Sequence, residues 1–214
     1  MSPASHVDGS DPVNGGAPPR FSVLMVCYAN HCRSPLAELV LAQAADLRLL
    51  NWKVSSAGTH AAPGQKMHPS AAEVLRSRGL DTDGWLSRRL QPALVEAADL
   101  VLTAGDEQRA FVTTMTPSAL SRTFTLLQFA HLRRGAELPR RIAPVDYGPA
   151  LLAGVRDARG RLQPLPKAER ELPDPMGQSP TKFRRCAVAI EQAVEQILAG
   201  VPSCGKTRSA SVTG

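Results

Sequence analysis

Val23-Leu24-Met25-Val26-Cys27-Tyr28-Ala29-Asn30-His31-Cys32-Arg33-Ser34-Pro35 is the stretch on which the reading of this chain turns. It opens as a short apolar run, the pattern of a buried strand. It closes on Ser34-Pro35, which predicts a helix with Ser34 as its N-cap and Pro35 at the first helical position. Between them lies a tight loop with Cys27 and, six positions on, Arg33. A loop leading from a strand into a helix turns its backbone N–H groups toward one point. The helix dipole adds positive potential there, so the loop is an anion site. Arg33 suits a two-pronged grip on a tetrahedral oxyanion. The same field favours the thiolate form of a cysteine at the base of the cradle. Asn30 tolerates the left-handed backbone such a loop needs. The expectation is a nucleophilic cysteine beneath a bound phosphate.

Working outward, Leu36, Leu39, Val40, Leu47 and Leu50 recur at helical spacing and predict one apolar face through Leu50. A second strand is expected near 53–57, a helix from Pro69 to Gly79, and a short helix near 92–97. A third strand follows at 99–102, a helix at 106–115, a fourth strand at 123–127 and a helix at 128–134. Strands that alternate with helices make an open parallel sheet covered on both faces. The fold expected is therefore α/β, a four-stranded parallel open sheet with the active-site loop between its first strand and first helix. Ligands of such sheets sit at the carboxyl ends of the strands, where Cys27 falls. Residues 135–171 read as a surface insertion around one helix at 143–156. From Ser179-Pro180 a long final helix carries the stripe Phe183, Ala187, Ile190, Val194, Ile197, Leu198 and Val201.

The 214 residues suffice for one sizeable core. Residues 1–20 are polar and rich in Gly and Pro, and are expected to be a disordered arm; residues 202–214 are expected to be a disordered tail. Residues 21–201 then form one domain. The four cysteines do not make a disulfide framework, and no apolar run approaches twenty residues. A cytoplasmic location is expected. The net charge of +6 comes from 20 Arg and 5 Lys scattered singly and in pairs, with 4% aromatic residues. That excess suits acidic phosphorylated substrates, and no nucleic-acid platform is visible. His60, His68 and His31 fit no metal-ligand spacing. His60 and His68 are expected to be solvated or to cap a helix. Gly200–Thr207 matches G-x4-G-K-T, but the pattern follows a helix and contains Pro202. It is not expected to bind ATP.

Val26-Cys27, Asn30 and Cys32-Arg33-Ser34-Pro35 together resemble the signature of the low-molecular-weight protein tyrosine phosphatases. Leu172-Pro173-Asp174-Pro175 resembles that family's downstream Asp-Pro loop, and the likeness runs from about Phe21 to Val201. The resemblance implies a hydrolase of aryl phosphomonoesters that works through a cysteinyl-phosphate. Cys27 would be the nucleophile, Arg33 the phosphate ligand and Asp174 the general acid. Tyr28, Ala29, Asn30, His31, Cys32 and Ser34 would bind phosphate or support the loop, with Cys32 its redox-active second cysteine. No metal or cofactor is implied. The substrate would be a phosphotyrosine protein or a small aryl phosphate, with no membrane partner. Ala29 departs from the family's glycine, so any positive φ there would be strained. Met176 stands where many members of that family carry an aromatic residue. Two other readings are arsenate reduction on the same scaffold and a non-catalytic phosphate-binding module.

Overall fold

Among the described residues, four short runs that carry branched or aromatic side chains become parallel strands. They are β1 (Phe21–Cys27), β2 (Trp52–Gly58), β3 (Leu100–Thr103) and β4 (Thr123–Thr125), in the spatial order β2-β1-β3-β4. A computed structural model describes residues 20–203. The arm expected at 1–20 and the tail at 202–214 lie outside them, apart from Arg20, Pro202 and Ser203. Among the described residues seven α-helices link or follow the strands: α1 (Arg33–Asp46), α2 (Pro69–Arg76), α3 (Pro92–Glu96), α4 (Asp106–Met115), α5 (Leu126–Arg133), α6 (Pro144–Ala158) and α7 (Pro180–Ile197).

The period of two along β1 divides the interior. Val23 and Met25 point into a larger core with Leu36, Leu41, Phe129, Leu151, Phe183 and Ile190. Leu24 and Val26 point the other way, into a smaller core with Leu90, Val95, Val101 and Val112. Helices α1, α2, α5, α6 and α7 supply the larger core, and α3 and α4 supply the smaller.

Four expectations need correction. Ser34 is not the N-cap of α1. The helix starts at Arg33 with Cys32 at the cap and no side-chain capping bond, because the Ser34 hydroxyl is drawn inward to Cys27 and Asn30. The stretch 135–171 is not a surface insertion throughout. Tyr147, Leu151, Val155 and Ala158 of α6 are buried, and the Tyr147 hydroxyl donates to the Ile197 carbonyl at 3.1 Å. Gly148 makes that docking possible, since a Cβ there would lie 2.3 Å from the Phe21 ring. Thirdly, α1 ends at Asp46, and Leu49 adopts φ +55° instead of continuing it to Leu50. The fourth strand also stops at Thr125, whose hydroxyl accepts from Gln128 N at 3.2 Å and starts α5 early.

Candidate active site

The loop after β1 folds back over its own sulfur. Asn30 adopts φ +55°, the left-handed conformation that Asn accepts at small cost. That turn aims the Asn30 N–H at Cys27 Sγ, 3.3 Å away. The Ser34 hydroxyl donates to the same sulfur at 3.0 Å. Two donors thus converge on one sulfur. Ala29 does not carry the positive φ, so its methyl enters without the expected backbone strain.

Asn30, wholly buried, ties the loop to the rest of the fold. Its Nδ2 donates to Ser34 Oγ at 2.9 Å and to Ser56 Oγ at 2.8 Å. Its Oδ1 accepts from Arg88 N at 2.8 Å. Ser56 Oγ in turn donates to Glu38, which also accepts from Trp85 Nε1 at 3.1 Å. Two arms diverge from the Asn30 amide, so each hydroxyl has its proton directed, that of Ser56 to Glu38 and that of Ser34 to sulfur. Ser56, Glu38, Arg88 and Trp85 were not foreseen as part of the site. They are ordinary polar residues far apart in sequence, and no spacing signal marks them.

Gly58 follows the second strand expected at 53–57, and its spacing carries no site signal. It lies beneath the loop: a Cβ there would come within 2.7 Å of Asn30 N and Tyr28 O. Both are backbone atoms that cannot step aside cheaply. Overpacking of this kind costs about 1–3 kcal/mol, and a loop moved by about 1 Å loses roughly 100-fold in rate. Gly58→Ala is therefore expected to lower kcat/KM for an aryl phosphate by about 100-fold with the circular dichroism of the folded chain unchanged. Activity within threefold of wild type would remove Gly58 from the site.

Across the loop, Arg33 Nη2 donates to Asp174 Oδ2 at 2.6 Å. Arg33 is nine-tenths buried and Asp174 is 46% exposed in its side chain. Arginine has five N–H donors, so this bond leaves others for an oxyanion. Asp174 is set by an Asx turn, its Oδ1 accepting from Met176 N at 3.1 Å, with Gly177 at φ +70° closing the bend. The segment ahead of it is fastened to the end of β3. Leu172 N donates to Ala104 O at 2.8 Å, Ala104 N donates to Val26 O at 2.7 Å, and Glu171 accepts from Asp106 N at 2.9 Å.

Cys27, Tyr28, Ala29, His31, Cys32, Arg33, Asp174 and Met176 line one cavity of about 290 Å³. The structure thus brings together the predicted nucleophile, arginine and acid from residues 147 positions apart at the extremes. Tyr28 is half-exposed at the rim and stacks on His60 at 4.4 Å between ring centroids. His68 caps α2, its Nδ1 accepting from Ser70 N at 3.2 Å. No group of three potential metal ligands occurs among the described residues.

The other thiols differ from Cys27 in setting. Burial, with the nearby Cys27, Asp174 and Cys186, pushes the Cys32 thiol from 9.0 up to about 12, against the pull of Arg33. Burial also pushes Cys186, on α7, up to about 12. Both stay protonated at neutral pH. Cys32 Sγ rests 3.2 Å from Met176 Sδ.

The sequence model of the family described as Low molecular weight phosphotyrosine protein phosphatase matches residues 22–141. The low molecular weight protein-tyrosine-phosphatase Etp of Escherichia coli K12 is 33% identical over 108 residues, 50% of this chain and 70% of the relative. The protein-arginine-phosphatase of Bacillus subtilis is 33% identical over 109 residues, 51% of this chain and 72% of the relative. Among solved structures, the low molecular weight protein tyrosine phosphatase from T. tengcongensis aligns with a TM-score of 0.63 at 21% identity. That alignment covers 83% of this chain and 97% of the other. It speaks for the fold. The family match stops at residue 141, short of Asp174.

Proposed function

The chain belongs to the low molecular weight phosphotyrosine protein phosphatase family and is a cysteine-based phosphatase, and we propose that it hydrolyses phosphotyrosine in proteins through a cysteinyl-phosphate. In this reading the Cys27 thiolate attacks phosphorus in line with the leaving oxygen, forming the S–P bond as the P–O bond to the phenol breaks. Arg33 and the loop N–H groups hold the three equatorial oxygens where charge is spread in the transition state. Asp174 protonates the departing phenolate. As carboxylate it then takes a proton from water attacking the thiophosphate, which releases inorganic phosphate and restores the Cys27 thiolate. The observation that carries the proposal is the single 290 Å³ cavity that holds the sulfur, the guanidinium and the carboxylate together. The family and the relatives do not favour arsenate reduction. No helix among the described residues is long and apolar enough to cross a membrane. A reducing, cytoplasmic setting, which would keep Cys27 free, is part of the proposal.

A second reading has one observation behind it, the relative named a protein-arginine-phosphatase. The half-exposed Tyr28 ring, stacked on His60 at the rim, favours an aromatic leaving group instead. Peptides of one sequence bearing phosphotyrosine or phosphoarginine separate the two. The phosphotyrosyl peptide is expected to have the higher kcat/KM by about tenfold or more, a difference of at least ~1.4 kcal/mol in transition-state stabilisation. A preference for phosphoarginine would overturn the tyrosine assignment.

Cys32 is proposed as the thiol that traps oxidised Cys27. While Cys27 is a thiolate, its charge helps hold the Cys32 proton on. Oxidation of Cys27 to the neutral sulfenic acid removes that repulsion, and Cys32 then attacks to form the disulfide and release water. Peroxide followed by a thiol is expected to restore wild-type activity. Cys32→Ser should recover to less than half; equal recovery removes this role.

A further inference from the structure

Away from the active site, a cavity of about 740 Å³ opens between the end of α1, α5, the segment 138–144 and the end of α7. Four arginines line it, Arg48, Arg133, Arg140 and Arg141, and among the described residues no acidic side chain does. We propose that this cavity is a second binding site, for a small polyanion that carries two or more phosphate groups on an apolar body.

The four arginines fall into two kinds. Arg48 is nine-tenths buried in its side chain and fixed in place, donating to Ala44 O at 3.1 Å and to Glu195 at 2.7 Å. Arg133 is held by the Ala199 carbonyl at 2.7 Å. Among the described residues neither Arg48 Nε nor Arg133 Nε has a hydrogen-bond partner, although both atoms are buried. Arg140 and Arg141 are exposed and make no ion pair among the described residues. Two guanidinium groups are thus held in the wall and two stand free at the rim. One carboxylate, Glu195, offsets this cluster from outside the cavity.

Four cations around one hollow repel one another, and a multivalent anion relieves that repulsion while gaining charge-assisted hydrogen bonds. The remaining wall is apolar, with Leu138, Ile142, Pro144 and Val201 beside the Tyr147 ring. A bare phosphate leaves that surface unused. The volume lies within the range of sites that enclose small organic ligands, roughly 300–1,000 Å³. Gly200, Val201 and Pro202 at the start of the G-x4-G-K-T pattern also line the hollow. Lys206 and Thr207 lie outside the described residues, and the proposed site does not require them.

Tyr147 supplies a reporter, since its ring lies 6.3 Å from that of Trp52. ATP and inorganic tripolyphosphate, as probes, are titrated against the full chain by tryptophan fluorescence and calorimetry. ATP is expected to bind at least fivefold more tightly than tripolyphosphate. Arg140→Ala/Arg141→Ala is expected to weaken ATP at least tenfold and to leave aryl phosphate hydrolysis and circular dichroism unchanged. Arg33→Ala, which strips the phosphate loop of its arginine, is expected to retain ATP binding, as is a chain ending at Ser203. Loss of binding in Arg33→Ala with retention in the double variant would place the anion in the active site and overturn the proposal. So would loss on truncation at Ser203, or no binding below millimolar ATP.

Discussion

Cys27→Ser is expected to abolish turnover of aryl phosphates, by roughly a thousandfold or more, as removal of a covalent nucleophile does elsewhere. The serine hydroxyl is close in size, so the fold and the loop should survive. What is lost is the anionic nucleophile, because a serine hydroxyl gives up its proton far less readily than a thiol. The Asn30 and Ser34 donors that serve a thiolate oppose a donor hydroxyl. Phosphate affinity should persist, because Arg33 and the backbone N–H groups remain. Iodoacetate at pH 7 should modify Cys27 in the wild type and spare Cys32 and Cys186, both held protonated near 12. Residual turnover above a tenth of wild type, or first modification at Cys32, would place the nucleophile elsewhere.

Asp174→Asn should divide substrates by their leaving groups. A general acid contributes about 10²–10⁴-fold where the leaving oxygen needs a proton. Phenyl or tyrosyl phosphate should therefore slow by about that factor. A nitrophenyl phosphate, whose anion leaves readily, should lose much less in the step that breaks the P–O bond. The variant also removes the anionic partner of Arg33, so the phosphate itself should bind no worse. Rapid-mixing measurements that separate leaving-group release from hydrolysis of the thiophosphate give the comparison. Equal losses for both leaving groups would leave Asp174 only a role in shaping its loop. Asp146 and Asp157 would then be tested next.

The loop could be read from sequence because its signals are local. An apolar run, an Asn able to take φ +55° and an arginine at fixed spacing all lie within thirteen residues, and the helix at 106–115 has equally local signals. Ser34-Pro35 misled for the same reason. The pair is a good local cap, but a buried sulfur and the Asn30 amide compete for the hydroxyl and win. Ser56, Glu38 and Arg88 act through contacts 18 to 58 residues long in sequence. No periodicity records contacts of that length. The misreading of 135–171 was avoidable: Tyr147, Leu151, Val155 and Ala158 recur at intervals of three and four, but the surrounding arginines and prolines masked the stripe. The acid could be found only by resemblance, since a lone Asp between prolines also describes an ordinary turn.

Ala104 has no functional side chain, yet it acts as the gauge of the reaction. Its amide reads the position of the nucleophile's strand at Val26, and its carbonyl hands that position to Leu172, two residues before the acid. The gap that a phosphoryl group must bridge is thus measured in two peptide hydrogen bonds. Side-chain replacements at residue 104 that fit the core leave both bonds in place, so the gauge is hard to miscalibrate by point mutation. Substrate preference, in contrast, can drift freely through Tyr28, His31 and Met176, which face the gap without setting its width.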